Sequence, residues 1–215
     1  MFDKIGIPLD TKLYEQSAEE HGKRSCRTCV LAIKIDDLRS TARLRDYASR
    51  CDPLPLDCFA KDVAFLCTDP KEYYHNEVGG FTLLNGGYKT PNPVREAFVE
   101  TVRIWKPSSI AVMLSLGSGT RNSGSMEISN SYPKRVYNVV TALLAQSTDR
   151  ESVHLQFKDE AEIFGIQYFR FDVPNLGEIQ DGAWEHSSTV LSKTGSYIES
   201  CTKDLRLCAQ IFDDM

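Results

Sequence analysis

Few residues in this chain have the types and spacing that chemistry could use. The best placed are Asn85, Gly86 and Gly87, which close a short apolar run, FTLL at 81–84. Two glycines there allow positive φ and let the backbone approach another group closely, so the tripeptide reads as a loop at a strand end. Gly117, Ser118 and Gly119 close a second apolar run and have the composition of a phosphate-cradling turn in a nucleotide-binding fold. The serine-, asparagine- and glycine-rich residues 121–131 that follow offer no helix N-terminus on which a phosphate could sit, so nucleotide binding stays an alternative. Cys26 and Cys29 form a C-x-x-C, but a zinc site wants a second close pair, and six residues separate Cys51 from Cys58. A thioredoxin-like role fails too, because the motif precedes a strand-like run instead of opening a helix. The thiols therefore read as buried structural residues, and no metal or cofactor is expected. Ser131 to Lys134 matches S-x-x-K, a pattern short enough to arise by chance. His21, His75, His154 and His186 are scattered among charged residues and read as exposed.

The elements that must position these residues are clearest over 81–119. Asn92 is suited to cap a helix and Pro93 to open it, since proline's missing N–H is not needed there. Val94, Ala97, Phe98, Val102 and Trp105 then recur at helical spacing, with Arg95, Glu96, Glu100 and Arg103 elsewhere around the wheel. Pro107 ends that helix, and IAVML at 110–114 is an unbroken apolar run of the kind a doubly covered strand shows. Upstream, 10–20 reads as a short acidic helix, and CVLAIKI at 29–35 as a core strand. Residues 40–48 are ambiguous between strand and helix, and Pro53 and Pro55 force a loop. Downstream, the spacing predicts helices over 132–145 and 149–162, the second with Val153, Phe157 and Ala161 inward. A strand follows at 166–173, then one long helix over 188–212 with Leu191, Ile198, Cys201, Leu205 and Cys208 along one side.

Length, composition and charge bound the rest. A chain of 215 residues can bury one sizeable core, and one domain spanning 1–215 is expected. Hydrophobic content of 41% and charged content of 26% are those of a globular protein, and a net charge of -5 argues against the basic face that nucleic acid demands, so no nucleic-acid partner is expected. Seven cysteines, an odd number, and a start without a long apolar stretch suggest the reducing cytosol. No run approaches the ~20 apolar residues of a transmembrane helix, so any membrane contact is expected to be peripheral.

Three pieces in order resemble the patatin-like phospholipase family, lipid acyl hydrolases with a conserved block that reads roughly F-x-D-G-G/A, then N-P at a helix start, then a buried strand ending S-I-G-T-G. Here the pieces are residues 81–87, Asn92-Pro93, and Ser115 through Gly119. The 166–173 strand is similar to the family's Y-F-R-F-N-V, and 40–48 occupies the place of another family strand, which favours strand there. The resemblance runs from about Phe2 to Ile198. It implies a patatin-like α/β fold of three layers, a mixed sheet with helices on both faces, incomplete at the N-terminus. It also implies a lipid or fatty-acyl ligand and a place in lipid metabolism.

The departures from the family's pattern bear on activity. The family's dyad aspartate corresponds to Asn85, flanked by Gly86 and Gly87, and a neutral amide cannot take a serine proton. No G-x-S-x-G nucleophile turn and no glycine-rich oxyanion segment occurs in the sequence. Where the family has a helix of small residues, this chain has 59–74, with the larger Val63, Phe65 and Leu66. The chain is thus expected to be inactive alone, a pseudoenzyme. The alternative is an ester hydrolase active only when another chain completes it. Missing strands would leave a sheet edge open to a protein partner or to self-association.

Overall fold

A computed structural model describes residues 8–14, 26–51, 55–67, 76–119, 150–176 and 187–213. The chain is mixed α/β, and its described strands form two sheets. They belong to two compact units: residues 1–93 with 99–105, and residues 94–98 with 106–215.

In the first unit, β1 (Cys29–Lys34) and β2 (Thr41–Arg45) arise from the two runs read as strands. They join β3 (Asn76–Val78) and β4 (Phe81–Asn85) in an antiparallel sheet of order β2-β1-β4-β3. Gly79 and Gly80, both at positive φ, make the two-residue turn between β3 and β4, a geometry whose twist suits a hairpin. Strand alternation sends Ala32, Ala42, Leu44 and Leu83 into one core with Val63 and Leu66 from helix α1 (Ala60–Leu66). Val63 and Leu66 of the 59–74 segment thus help fill this core, and the segment's helix ends at Leu66 within the described residues. The expected acidic helix at 10–20 does not begin as one: Lys12 bridges Phe59 as extended chain, and Leu13 and Thr11 bond Cys58 and Ala60.

Helix α2 (Val94–Ile104) starts one residue later than the sequence suggests. Pro93 holds the cap position and Asn92, fully buried, lies just upstream. The wheel reading of one apolar stripe needs correcting as well. Val94 and Phe98 pack in the second unit's core, whereas Glu100 is 4% exposed and Trp105 is 46% exposed.

In the second unit, β5 (Val112–Leu116) pairs in parallel with β6 (Gln167–Phe171), the strand expected at 166–173. Helix α3 (Arg150–Ile163) matches the 149–162 expectation and buries Phe157 and Ala161 against Val94 and Ile166. Phe157 meets Phe98 and Tyr168 edge-on, at ring separations of 5.7 and 4.9 Å. The strand expected to be covered on both faces is not: Leu114 is 42% and Leu116 72% exposed, both on one face of β5. The long C-terminal helix is two, α4 (Ser187–Ser200) and α5 (Thr202–Asp213), separated at Cys201. The expected helix at 132–145, the loop at 121–131, the S-x-x-K and three of the histidines, His21, His75 and His186, lie outside the described residues. Among the described residues no helix is long and apolar enough to cross a membrane.

Candidate functional site

Strand β4 delivers Asn85 to the start of a single 3₁₀ turn, Gly86–Tyr88, where a loop was expected. The Asn85 Oδ1 accepts the Gly87 amide at 2.8 Å, and the Gly86 carbonyl accepts the Lys89 and Thr90 amides at 3.0 and 2.8 Å. The turn lies hard against β1. A Cβ on Gly86 would stand 2.3 Å from the Leu31 carbonyl oxygen, so glycine is required by close approach. Asn85, Gly86 and Gly87 therefore act together as a side-chain-capped turn. Among the described residues no serine, cysteine or histidine side chain bonds to Asn85.

The Gly117 to Gly119 turn is also engaged. At the end of β6, Asp172 accepts the Gly119 amide at 2.7 Å and pairs with Arg170, both side chains almost fully buried. Arg170 also donates to the Ser115 hydroxyl at 2.9 Å, and the Asp172 amide donates to the Tyr197 hydroxyl at 3.2 Å. A Cβ on Gly117 would lie 2.1 Å from the Asp172 carboxylate carbon. The anion this glycine turn holds is the chain's own carboxylate.

A third cluster went unread in the sequence. Arg45 on β2 holds Glu100 of α2 through two bonds, Nε to Oε2 at 2.6 Å and Nη2 to Oε1 at 3.0 Å. Arg103 donates to Oε1 at 2.7 Å, Arg43 Nε lies 3.3 Å from the same oxygen, and the Tyr47 hydroxyl donates to Oε2 at 3.1 Å. Burial alone would raise the Glu100 pKa, but the bonds from Arg45 and Arg103 outweigh it and hold it at about 2. An acid that weakly basic takes no proton near neutral pH, so Glu100 is an anchor and not a general base. Burial pushes the neighbouring Cys29 thiol up to about 11, which keeps it protonated and unreactive.

No family model, curated protein or solved structure matches this chain.

Two sequence expectations change at this level. His154, read as exposed, is half-buried with Nδ1 3.1 Å from the Tyr168 hydroxyl, and burial lowers its pKa. It contacts no nucleophile among the described residues. Of the seven cysteines, all free, Cys58 and Cys208 are buried as expected, while Cys26, Cys51 and Cys67 are exposed. Nor do three His, Cys, Asp or Glu side chains converge as metal ligands would among the described residues.

Proposed function

We propose that this chain is a non-catalytic relative of the patatin-like acyl hydrolases, one in which the dyad position has become a structural cap. The observation that carries the reading is the Asn85 amide. It stands at the end of a strand, ahead of two glycines and a buried asparagine that leads into a helix, and its oxygen is spent on the Gly87 amide. The order strand, glycine turn, helix, strand, glycine turn through β4, α2 and β5 supports the reading. An uncharged side chain so engaged has no means of drawing a proton from a hydroxyl. The exposed Leu114 and Leu116 lie on one face of β5, where the three-layer, patatin-like architecture of this reading would set a layer of helices.

The test is a fluorophosphonate probe together with hydrolysis of short- and long-chain p-nitrophenyl esters, applied to the purified 215-residue polypeptide and to Asn85→Asp. Neither protein is expected to label or to turn over ester above the uncatalysed rate, because restoring the carboxylate supplies no nucleophile. Labelling of the wild-type polypeptide at a single serine overturns the reading.

A further inference from the structure

Asn85 and Gly86 are a pair with a covalent chemistry of their own. The backbone nitrogen that follows an asparagine can attack its carboxamide carbon, and glycine, with no Cβ, shields that nitrogen least. The other six asparagines of the chain all precede residues that carry side chains. In the reaction the Gly86 nitrogen gives up its proton and bonds to the Asn85 Cγ. The Cγ–Nδ2 bond then breaks, and ammonia leaves with the proton. The cyclic imide that remains takes up water at one of its two carbonyls. Opening at Cγ yields aspartate at 85, and opening at the main-chain carbonyl yields isoaspartate, with the chain running through the β-carbon. No oxidant or reductant is needed, and water is the one co-reactant.

The fold decides when this can happen. Asn85 stands at φ −54° and ψ 128°. The five-membered ring closes only where Cβ and the next nitrogen eclipse one another, at about −120° in ψ for an L-residue, so from 128° the Cα–C bond must turn by roughly 110°. Three contacts oppose that turn. Ala32 on β1 pairs with Asn85 itself, a Cβ on Gly86 would stand 2.3 Å from the Leu31 carbonyl oxygen, and the Gly86 carbonyl accepts the Lys89 and Thr90 amides. One contact acts the other way, because the Gly87 amide, 2.8 Å from the Asn85 Oδ1, draws electrons from Cγ. Geometry wins, since a polarised carbon turned away from its nucleophile does not react. The hold is weakest at one place: Ala32 with Asn85 is the last pair of the β1–β4 ladder, and ladders fray from their ends.

We propose that Asn85-Gly86 is a deamidation site latched by β1, shut in the folded chain and open to reaction when the end of β4 lifts away. The two products differ in consequence. Aspartate keeps an oxygen for the Gly87 amide, so the turn re-forms around a new negative charge. Isoaspartate adds a carbon to the main chain beside the Leu31 carbonyl, where even a methyl group has no room, and the turn cannot be remade. The inference rests on the geometry of the turn alone and stands apart from the acyl-hydrolase reading.

The experiment is mass spectrometry of the purified 215-residue polypeptide aged in mildly alkaline buffer, with and without unfolding urea, beside a synthetic peptide of residues 72–89. The readout is exchange of NH2 for OH at Asn85, located by fragment ions, with electron-transfer fragmentation separating aspartate from isoaspartate. The folded chain is expected to react roughly tenfold or more slower than the peptide, and to reach the peptide's rate in urea. Leu83, fully buried on β4, lies outside the reacting pair. Leu83→Ala hollows the core beneath the strand, and is expected to react roughly tenfold or more faster than wild type in native buffer. A folded wild-type chain that deamidates as fast as the peptide, or a rate that responds neither to urea nor to Leu83→Ala, overturns the proposal.

Discussion

At the scale of single residues, Glu100 is the side chain on which the first unit's polar interior depends. Three guanidiniums and a phenol converge on a carboxylate that solvent barely reaches. Its pKa falls from 4.5 to about 2 on folding, so the folded state favours the ionised form. The resulting stabilisation is fully present above pH ~4.5, and it fades as pH drops through about 2, a swing of about 3 kcal/mol. Glu100→Gln removes the shared anion and leaves buried cations facing one another. A loss of about 3–5 kcal/mol at pH 7 is expected by urea denaturation, in line with other broken buried pairs. The gap between wild type and variant should then narrow as pH is lowered from 5 to 2, by roughly the same 3 kcal/mol. A gap that stays constant across that range would mean Glu100 is not ionised in the folded protein.

At the scale of elements, the turn after β4 is held by contact with β1. Gly86→Ala pushes a methyl group into the Leu31 carbonyl, a backbone atom inside a strand that cannot swing aside as a flexible side chain would. The change is expected to destabilise the protein by about 3 kcal/mol, the upper end for overpacking, with a corresponding fall in the urea midpoint. Asn85 and its glycines were legible in the sequence as a turn at a strand end, because glycine and asparagine announce such a turn by local backbone preference alone. Strands β1 and β6 and helix α3 were legible for the same kind of reason, their apolar spacing being short-range. Gly79-Gly80 carried an equally local hairpin signal, two glycines before an apolar strand, and it was there to be used. Glu100 was not legible. On a helical wheel a carboxylate belongs to solvent, and only Arg45, 55 residues earlier in the chain, brings it inside. The openness of β5 was hidden likewise, since an apolar run tells how much a strand can bury and not what arrives to cover it. The break at Cys201 lies within one continuous helical pattern of apolar residues, so periodicity had nothing to register there.

At the scale of the whole molecule, no covalent crosslink joins the elements: all seven cysteines are free thiols. Both units must then be held by packing and by their polar clusters. The chemistry of the thiols should reveal that packing position by position. Cys26 and Cys51 are exposed, and their thiols should react with a disulfide reagent such as dithionitrobenzoate within the mixing phase. Cys58 lies in the first core, where burial lifts its pKa to about 11, and Cys208 is buried on α5, its pKa also raised by burial. Thiolate is the reactive species, so these two are doubly protected, by access and by protonation, and should react only as the structure opens. In denaturant all seven should titrate at once, and a reducing agent should leave the native melting temperature unchanged. The sharpest outcome is order: mass spectrometry of the partly modified native protein should find the label on Cys26 and Cys51 before either buried thiol. Early labelling of Cys58 would mean that the core formed by Leu44, Leu83 and Val63 does not close around it.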